Sequence, residues 1–480
     1  MYATFTVNQN DSFQPEKTAF ILSAALLSTA VQASGYHFGT QSVNAQGTAN
    51  AAAAEAADAS TIFYNPAGLS KIDSSQISVN ANIVFPSIHY EAESAKHFRT
   101  GADVSGSTSG KITETTVAPH VYSAYKASDD VTLGLGVYVP FGSATEYEKD
   151  SVLRHNINKL GLTTIAIEPV VAWKLNEQHA VGAGLIAQYS KAELRKYSDW
   201  DASGAISQLA SGLASRQAGR PVAVDATGKA DGHADVKGHD WGFGYQLAWM
   251  WDINERARVG VNYRSKVSHT LKGTADWEAD GAYAKRAWDL GAMAARGYVP
   301  NEKASVKIVT PESLSVHGMY RATDKTNLFG DVTWTRHSRF NKAELVFENT
   351  KKVVNGQSDR TVITPNWRNT YKVAFGGSYQ VTEPLQLRAG IAFDKSPVKS
   401  AEDRMNSLPD GNRIWFSVGA KYQLGKNHVI DAAYSHIHIN DTVYRTGKAS
   451  GNDVDSRGAS SARFKNKADI LGLQYTYKFK

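Results

Sequence analysis

The chain contains no cysteine among its 480 residues, which excludes a disulfide framework and any thiolate metal site. It has no apolar run long enough for a membrane helix, which needs about 20 residues; the run FILSAALLSTAVQA at 20–33 falls short. Charge of one sign is not concentrated either. The formal net charge is only +6, and Lys and Arg are spread along the chain, so nucleic acid is not an expected partner. No GxSxG elbow, P-loop, HExxH motif or dinucleotide fingerprint occurs, so neither an enzyme nor a cofactor is expected. DWEADG at 276–281 has acids at calcium-like spacing without the rest of an EF-hand loop. His436 and His438 share one strand face but have no third ligand in view; they read as interfacial or lumen histidines, and no metal site is expected. Ser315 and His317 supply only the ingredients of a hydrolase.

What the chain does have is aromatic and small residues in a water-compatible mixture: 39 Gly, 22 Tyr, 17 Phe and 10 Trp at a mean hydropathy of -0.37. From about Gln76 onward the side chains alternate with period 2. In VTLGLGVYVPF, Val131, Leu133, Leu135, Val137, Val139 and Phe141 alternate with small or polar residues. In DWGFGYQLAWMW, Trp241, Phe243, Tyr245, Leu247, Trp249 and Trp251 face one way, and Gly242, Gly244, Gln246, Ala248 and Met250 the other. A soluble core would need a second, equally apolar sheet to cover such faces, whereas lipid covers them directly. In ARVGVNYRSKV the apolar set Ala257, Val259, Val261, Tyr263 and Val267 alternates with Arg258, Gly260, Asn262, Arg264 and Lys266, which implies a polar interior.

About fourteen such segments occur, starting near residues 77, 112, 131, 163, 180, 239, 256, 306, 327, 368, 384, 412, 428 and 468. Short polar turns alternate with long loops at 91–110, 143–161, 196–238, 270–303, 338–360, 396–411 and 441–463. The expected fold is an all-β transmembrane antiparallel barrel with tight periplasmic turns, long extracellular loops and both ends in the periplasm. Tyr475, Tyr477 and Phe479 mark a lipid-facing closing strand, followed by Lys480. Two loops carry helical spacing, through Ile206, Leu209 and Leu213 and through Tyr283, Ala287, Leu290 and Ala294.

Residues 1–33 read as a cleaved signal peptide, with Asp11 and Glu16 offsetting Lys17 so that the first dozen or so residues precede the true start. Residues 34–75 do not alternate, and Ala49–Ala57 favours a short helix. Tyr36, Phe38, Ile62, Phe63, Tyr64 and Leu69 are apolar groups that a disordered tail has no need to carry. The barrel itself would be residues 76–480.

Several stretches together resemble the FadL-type outer-membrane transporters of long-chain fatty acids and hydrocarbons, in particular a Neisseria-like branch. They are GTQSVNAQGTANA, DASTIFYNPAGLSKI, GLGVYVPFGSATEY, DWGFGYQLAWMWDIN, YRSKV, PESLSVHG, FDKSPV and LPDGNRIWFSVG. The resemblance implies fourteen strands around an N-terminal hatch at 34–75, with Asn65, Pro66 and Ala67 shaping the hatch. It places Gly35, Tyr36 and Phe38 near substrate, and a lateral gate at the strand-3 kink Pro140, Phe141, Gly142 and Ser143. The helical loops, with Ile206, Leu209, Leu213, Tyr283 and Leu290, would form an external apolar groove.

Long-chain fatty acids or other hydrophobic small molecules are then the expected cargo, passively transported through the outer membrane of a Gram-negative bacterium. Arg258, Arg264, Lys372, Arg388 and Arg413 are candidate carboxylate contacts, with charge balance against lumen acids as their plainer role. Outer-membrane lipid and lipopolysaccharide or lipooligosaccharide would surround a monomer whose loops are free to touch host surfaces. A porin-like channel for polar solutes and a surface adhesin or receptor remain the alternatives.

Overall fold

The structure, a computed structural model, describes residues 37–479, so the expected signal peptide, Gly35 and Tyr36 lie outside the described residues. The first strands are β1 (Gln76–Ala95), β2 (Ser109–Lys111), β3 (Thr116–Lys126), β4 (Val131–Tyr138), β5 (Gly142–Glu146), β6 (Ile157–Lys174) and β7 (His179–Asp199). They are followed by β8 (Asp231–Asp252), β9 (Ala257–Arg264), β10 (Val267–Ala279), β11 (Asn301–Thr310), β12 (Ser313–Thr323), β13 (Thr326–Thr335) and β14 (Ala343–Val353). The last are β15 (Gly356–Ile363), β16 (Thr370–Gln380), β17 (Leu385–Asp394), β18 (Arg413–Leu424), β19 (His428–Thr446) and β20 (Ser460–Lys478). Several wall strands are built from two successive pieces, as in β4 with β5, β9 with β10 and β11 with β12. Every ladder is antiparallel, and β20 returns to β1 from Gln76↔Lys478 to Ala95↔Ser460, closing a barrel of 14 strands.

The outer face is the apolar one. Phe243 is 75% exposed while Gln246, three residues on and pointing inward, is fully buried. Exposed Tyr371, Phe375 and Tyr379 alternate in the same way with buried Ala374 and Ser378. Lipid is the medium in which such a surface is stable, since burial of apolar area contributes about 25 cal/mol per Å². Among the described residues no helix is long and apolar enough to cross a membrane.

Strand ends depart from the sequence reading. The β7–β8 ladder continues to Asp199↔Asp231, and β10 runs to Ala279, well into stretches read as loops. Above the bilayer both faces of a strand meet water or other loops, so alternation fades while backbone pairing persists. The loops are helical where their spacing indicates.

A second departure is a change of pleat. Arg264 points inward, yet after Ser265 and Lys266 it is Val267 that is buried and Lys266 that is exposed. Two-residue alternation carried straight through the break between β9 and β10 therefore misplaced both residues: Val267 faces the lumen and Lys266 the outside. The same inversion occurs between β11 and β12, at Pro311–Glu312.

Residues 37–75 occupy the lumen, with helices α1 (Val43–Gln46) and α2 (Thr61–Tyr64) and 3-10 turns at Ala52–Glu55 and Pro66–Lys71. The helix expected at Ala49–Ala57 is interrupted: Ala49, Asn50 and Ala56 all have positive φ. Alanine's helix propensity is worth only tenths of a kcal/mol per residue against most alternatives, and packing against the wall overrides it. The wall makes room with glycine. A Cβ on Gly390 would lie 2.2 Å from the Thr48 carbonyl carbon, and one on Gly182 would lie 2.4 Å from the Ala67 nitrogen.

Two further helices lie in the long loops: α3 (Ala205–Ala218) and α4 (Ala282–Asp289).

Candidate transport path

The Asn65-Pro66-Ala67 turn is fixed from two sides. The Asn65 side-chain oxygen accepts from the Ala67 N–H at 3.0 Å and so caps the 3-10 turn that Pro66 opens. Its Nδ2 reaches the Trp249 carbonyl at 3.1 Å and His317 Nε2 at 2.9 Å on the wall. The aromatics before it have separate tasks. Phe63 packs edge-on to Tyr138 at 5.3 Å, with the Arg264 guanidinium 4.6 Å from its ring centre. The Tyr64 hydroxyl accepts from the Gln41 N–H at 2.9 Å and lies 3.1 Å from Asn50 Oδ1, joining the start of the lumen segment to its end. Burial holds the Tyr64 phenol above its ordinary pKa.

Four of the five candidate carboxylate contacts already have acidic partners. Arg388 makes a two-pronged contact with Glu55 at 2.7 and 3.0 Å, locking lumen segment to wall. Arg258 pairs with Asp252 at 2.5 Å and donates to the carbonyls of Ala54 and Glu55. Arg264 pairs with Glu168 at 3.2 Å, and Arg413 with Asp410. Lys372 is the exception: it forms no ion pair within 4.0 Å among the described residues. It lies over the Trp415 ring at 4.7 Å and lines a cavity of about 90 Å³ with Phe63, Tyr64, Asp331 and Asp394.

Above this polar cavity is an apolar one of about 120 Å³, lined by Leu160, Leu162, Leu271, Val306, Phe340 and Leu408 among others. It shares Ile157, Leu194 and Val236 with an outer cavity of about 190 Å³, where Lys196 and Arg457 pair with Asp455 and Arg404 also lines the wall. Alternation did not reveal these cavities, because Phe340, Met405 and Leu408 come from loops folded inward.

The strand-3 kink is an interruption of the wall. The β3–β4 register stops at Val121↔Val137, and β5 continues along β6 from Gly142↔Thr163. Of the kink residues, Pro140 and Phe141 lie between β4 and β5, while Gly142 and Ser143 begin β5. The Phe38 N–H donates to the Pro140 carbonyl at 2.9 Å, and His37 bridges to Phe141 with their rings 5.2 Å apart. The buried Phe38 ring lies 5.9 Å from His120 of β3, whose two ring nitrogens are buried with no hydrogen-bond partner among the described residues. Residues 37 and 38 thus stand across the inner side of the interruption. His120 carried no motif and was not foreseen.

Outside, α3 and α4 share a core with Trp200, Trp277, Tyr298 and Phe347. Ile206 is buried in that core and is not part of an exposed groove; Leu209 and Tyr283 pack against it, Leu213 is half-buried and Leu290 is exposed. The same core encloses an ion pair, Lys351–Glu302, at 2.5 Å, with Lys351 4.8 Å from the Phe347 ring centre. Burial pushes the Lys351 ammonium below its usual pKa, against the pull of Glu302.

Ser315, His317 and Asp331 do converge, but not as a relay. Ser315 and Asp331 both approach His317 Nδ1, at 3.4 and 3.7 Å, while Nε2 belongs to Asn65. A base that activates serine needs the nucleophile and the orienting acid on opposite ring nitrogens. His436 and His438 lie on the outer face, with His436 Nδ1 at 2.9 Å from Asp469. Among the described residues no cluster suited to a metal ion occurs.

A closed barrel with an apolar exterior, a lumen filled by its own N-terminal segment and cavities stacked toward a break in the wall defines an outer-membrane transporter class. Residues 24–479 match the family model described as outer membrane protein transport protein (OMPP1/FadL/TodX), and the chain belongs to that family. It is 76% identical over 465 residues to a putative outer membrane protein of Neisseria meningitidis serogroup B, covering 97% of this chain and 99% of that one. It is 24% identical over 479 residues to the long-chain fatty acid transport protein of Escherichia coli K12, covering 96% of this chain and 98% of that one. The crystal structure of a Pseudomonas aeruginosa FadL homologue superimposes with a TM-score of 0.80 at 24% identity, covering 93% of this chain and all of that one. The protein is an outer-membrane transporter of hydrophobic compounds and not an enzyme.

Proposed function

We propose that the cargo is a long-chain fatty acid, captured at the extracellular loops, held above a hatch formed by residues 34–75, and released sideways at the strand-3 kink. The observation that carries this reading is the pairing of an apolar cavity with a second cavity below it that holds Lys372, a half-buried cation that forms no ion pair within 4.0 Å among the described residues although Asp331 and Asp394 line the same space. An acyl chain fits the first and a carboxylate the second. Solvation supplies the logic of lateral release: each exposed CH₂ costs about 0.8 kcal/mol in water, so a route that never hydrates the chain is far cheaper than a wet pore. Phe38 and His37 would act as the pin of the lateral gate, and the Arg388–Glu55 and Asn65 contacts as the fixed points about which the hatch shifts.

Uptake of labelled oleate by cells with and without the protein tests the cargo, with faster uptake expected in its presence and equal rates removing fatty acids from consideration. Lys372→Met is expected to raise the concentration for half-maximal oleate uptake about tenfold while leaving uptake of a headless alkane unchanged; equal effects on both would contradict the carboxylate role. The lumen contacts also predict no steady large conductance in planar bilayers, the result a polar-solute porin would give.

A further inference from the structure

The outer wall carries charge where the lipid-facing band ends. On β7 and β8 the topmost aromatic pair is Tyr189 and Trp241, with rings 5.4 Å apart. Immediately toward the extracellular side, the outward positions are Lys191, His239 and Lys272, Cα partners in register on three neighbouring strands. Lys237 lies one outward position above His239. On β11, Lys307 is opposite Thr270, which itself lies one outward position below Lys272, and Lys303 is opposite Thr274. Lys191, Lys237, Lys272, Lys303 and Lys307 are all exposed. Lys266, moved to the outside by the change of pleat, stands lower, in the break just before β10, with a stem that can extend upward along the wall.

The acids on this face are fewer. Glu193, the Cα partner of Lys237, pairs with Lys191 at 3.2 Å, and Glu348 lies 3.7 Å from Lys303. Asp235 and Asp276, one outward position higher, are engaged by Arg195 and Asn301, and Asp240 accepts from the Thr270 N–H at 2.7 Å. Lys237, Lys272 and Lys307 take part in no ion pair among the described residues, so the patch keeps an excess of positive charge. Other cations at this height are better balanced. On β20, Arg463 pairs with Glu93 at 2.5 Å, and Lys465 and Lys467 share their face with Asp469 and with Glu91 of β1.

We propose that the Lys237–Lys272–Lys307 face is a docking site for the phosphorylated head group of an outer-leaflet glycolipid. Three features select that occupant. The patch lies at head-group depth, directly above the aromatic boundary of the apolar band. It is an exposed sheet face, so it suits a ligand that the membrane already holds against the wall. Its lysines are point charges about 5–10 Å apart across neighbouring strands, a spacing that serves dispersed phosphates better than one compact anion.

The test is native mass spectrometry of the detergent-purified full chain with bisphosphorylated lipid A, with the same lipid dephosphorylated, and with inorganic phosphate as competitor. The variants are Lys237→Gln/Lys272→Gln/Lys307→Gln and, as control, Lys465→Gln/Lys467→Gln. The wild type and the control are expected to retain bisphosphorylated lipid A, and the triple variant at least tenfold less; dephosphorylated lipid should be lost from the wild type as well. Equal retention by the triple variant, or equal retention of the dephosphorylated lipid, overturns the proposal. Full competition by millimolar inorganic phosphate would make the patch a simple anion site and also overturns it. The comparison of lipids on the wild type stands even if the triple variant fails to fold.

Discussion

Single residues show where polar chemistry is structural and where it is free to act. Asn65 spends its oxygen on its own turn and its nitrogen on the wall, so Asn65→Ala removes both. Each such bond contributes about 1 kcal/mol net, too little to unfold a barrel but enough to loosen a seated segment. The variant is expected to keep its thermal midpoint within a few degrees and to show conductance bursts in planar bilayers that the wild type lacks. Lys351 poses the opposite case. Lys351→Ala leaves the buried Glu302 carboxylate without its cation, held only by neutral donors from Trp277 and Asn349, and breaking a buried pair from one side costs about 3–5 kcal/mol. The expected result is rapid protease cleavage in the 200–300 loops of an otherwise intact barrel; wild-type resistance would show that the pair is not what holds the loop core. Asn65 was singled out only through the family resemblance, because nothing local distinguishes it from an ordinary turn residue, and nothing local pairs Lys351 with a residue 49 positions away.

At the scale of elements, the wall strands were legible wherever lipid lies on one face and water or polar side chains on the other. β8 and β16 follow the alternation residue by residue through the apolar band. The signal failed in three physical circumstances. Strands that rise out of the bilayer lose their asymmetric surroundings and passed for loop. The breaks at Ser265–Lys266 and Pro311–Glu312 invert the pleat, which period 2 cannot anticipate, and Lys266 was misplaced as a result. The alanine-rich stretch obeyed the wall and not its own propensity, bending at Ala49, Asn50 and Ala56. The inward glycines follow from the same contact. Gly390→Ala places a Cβ where the Thr48 backbone already lies, and backbone does not yield cheaply. That substitution is expected to expose residues 37–75 to added protease while the barrel stays resistant to dissociation by detergent at room temperature. An unchanged digestion pattern would mean that the segment tolerates displacement.

For the whole molecule, the route is a series of environments: mixed polar and apolar at the outer mouth, apolar beneath it, charged with both signs above the proposed hatch, and then a broken wall leading to lipid. Composition and periodicity revealed the barrel but not this order, which depends on loops that fold inward and on residues 37 and 38, which lie across the break between β4 and β5. The central claim is that cargo leaves through that break, past His37 and Phe38. Because the chain has no cysteine, a His37→Cys/Phe141→Cys pair forms its disulfide without competitors, and bridged strand partners lie within the 4.4–6.8 Å Cα range that a disulfide spans. The direct measurement is oleate uptake by cells carrying this variant, oxidised and then reduced. The account predicts uptake near the level of cells without the protein when the pair is oxidised, and recovery on reduction. Undiminished uptake with the disulfide shown to be formed would contradict release through the wall.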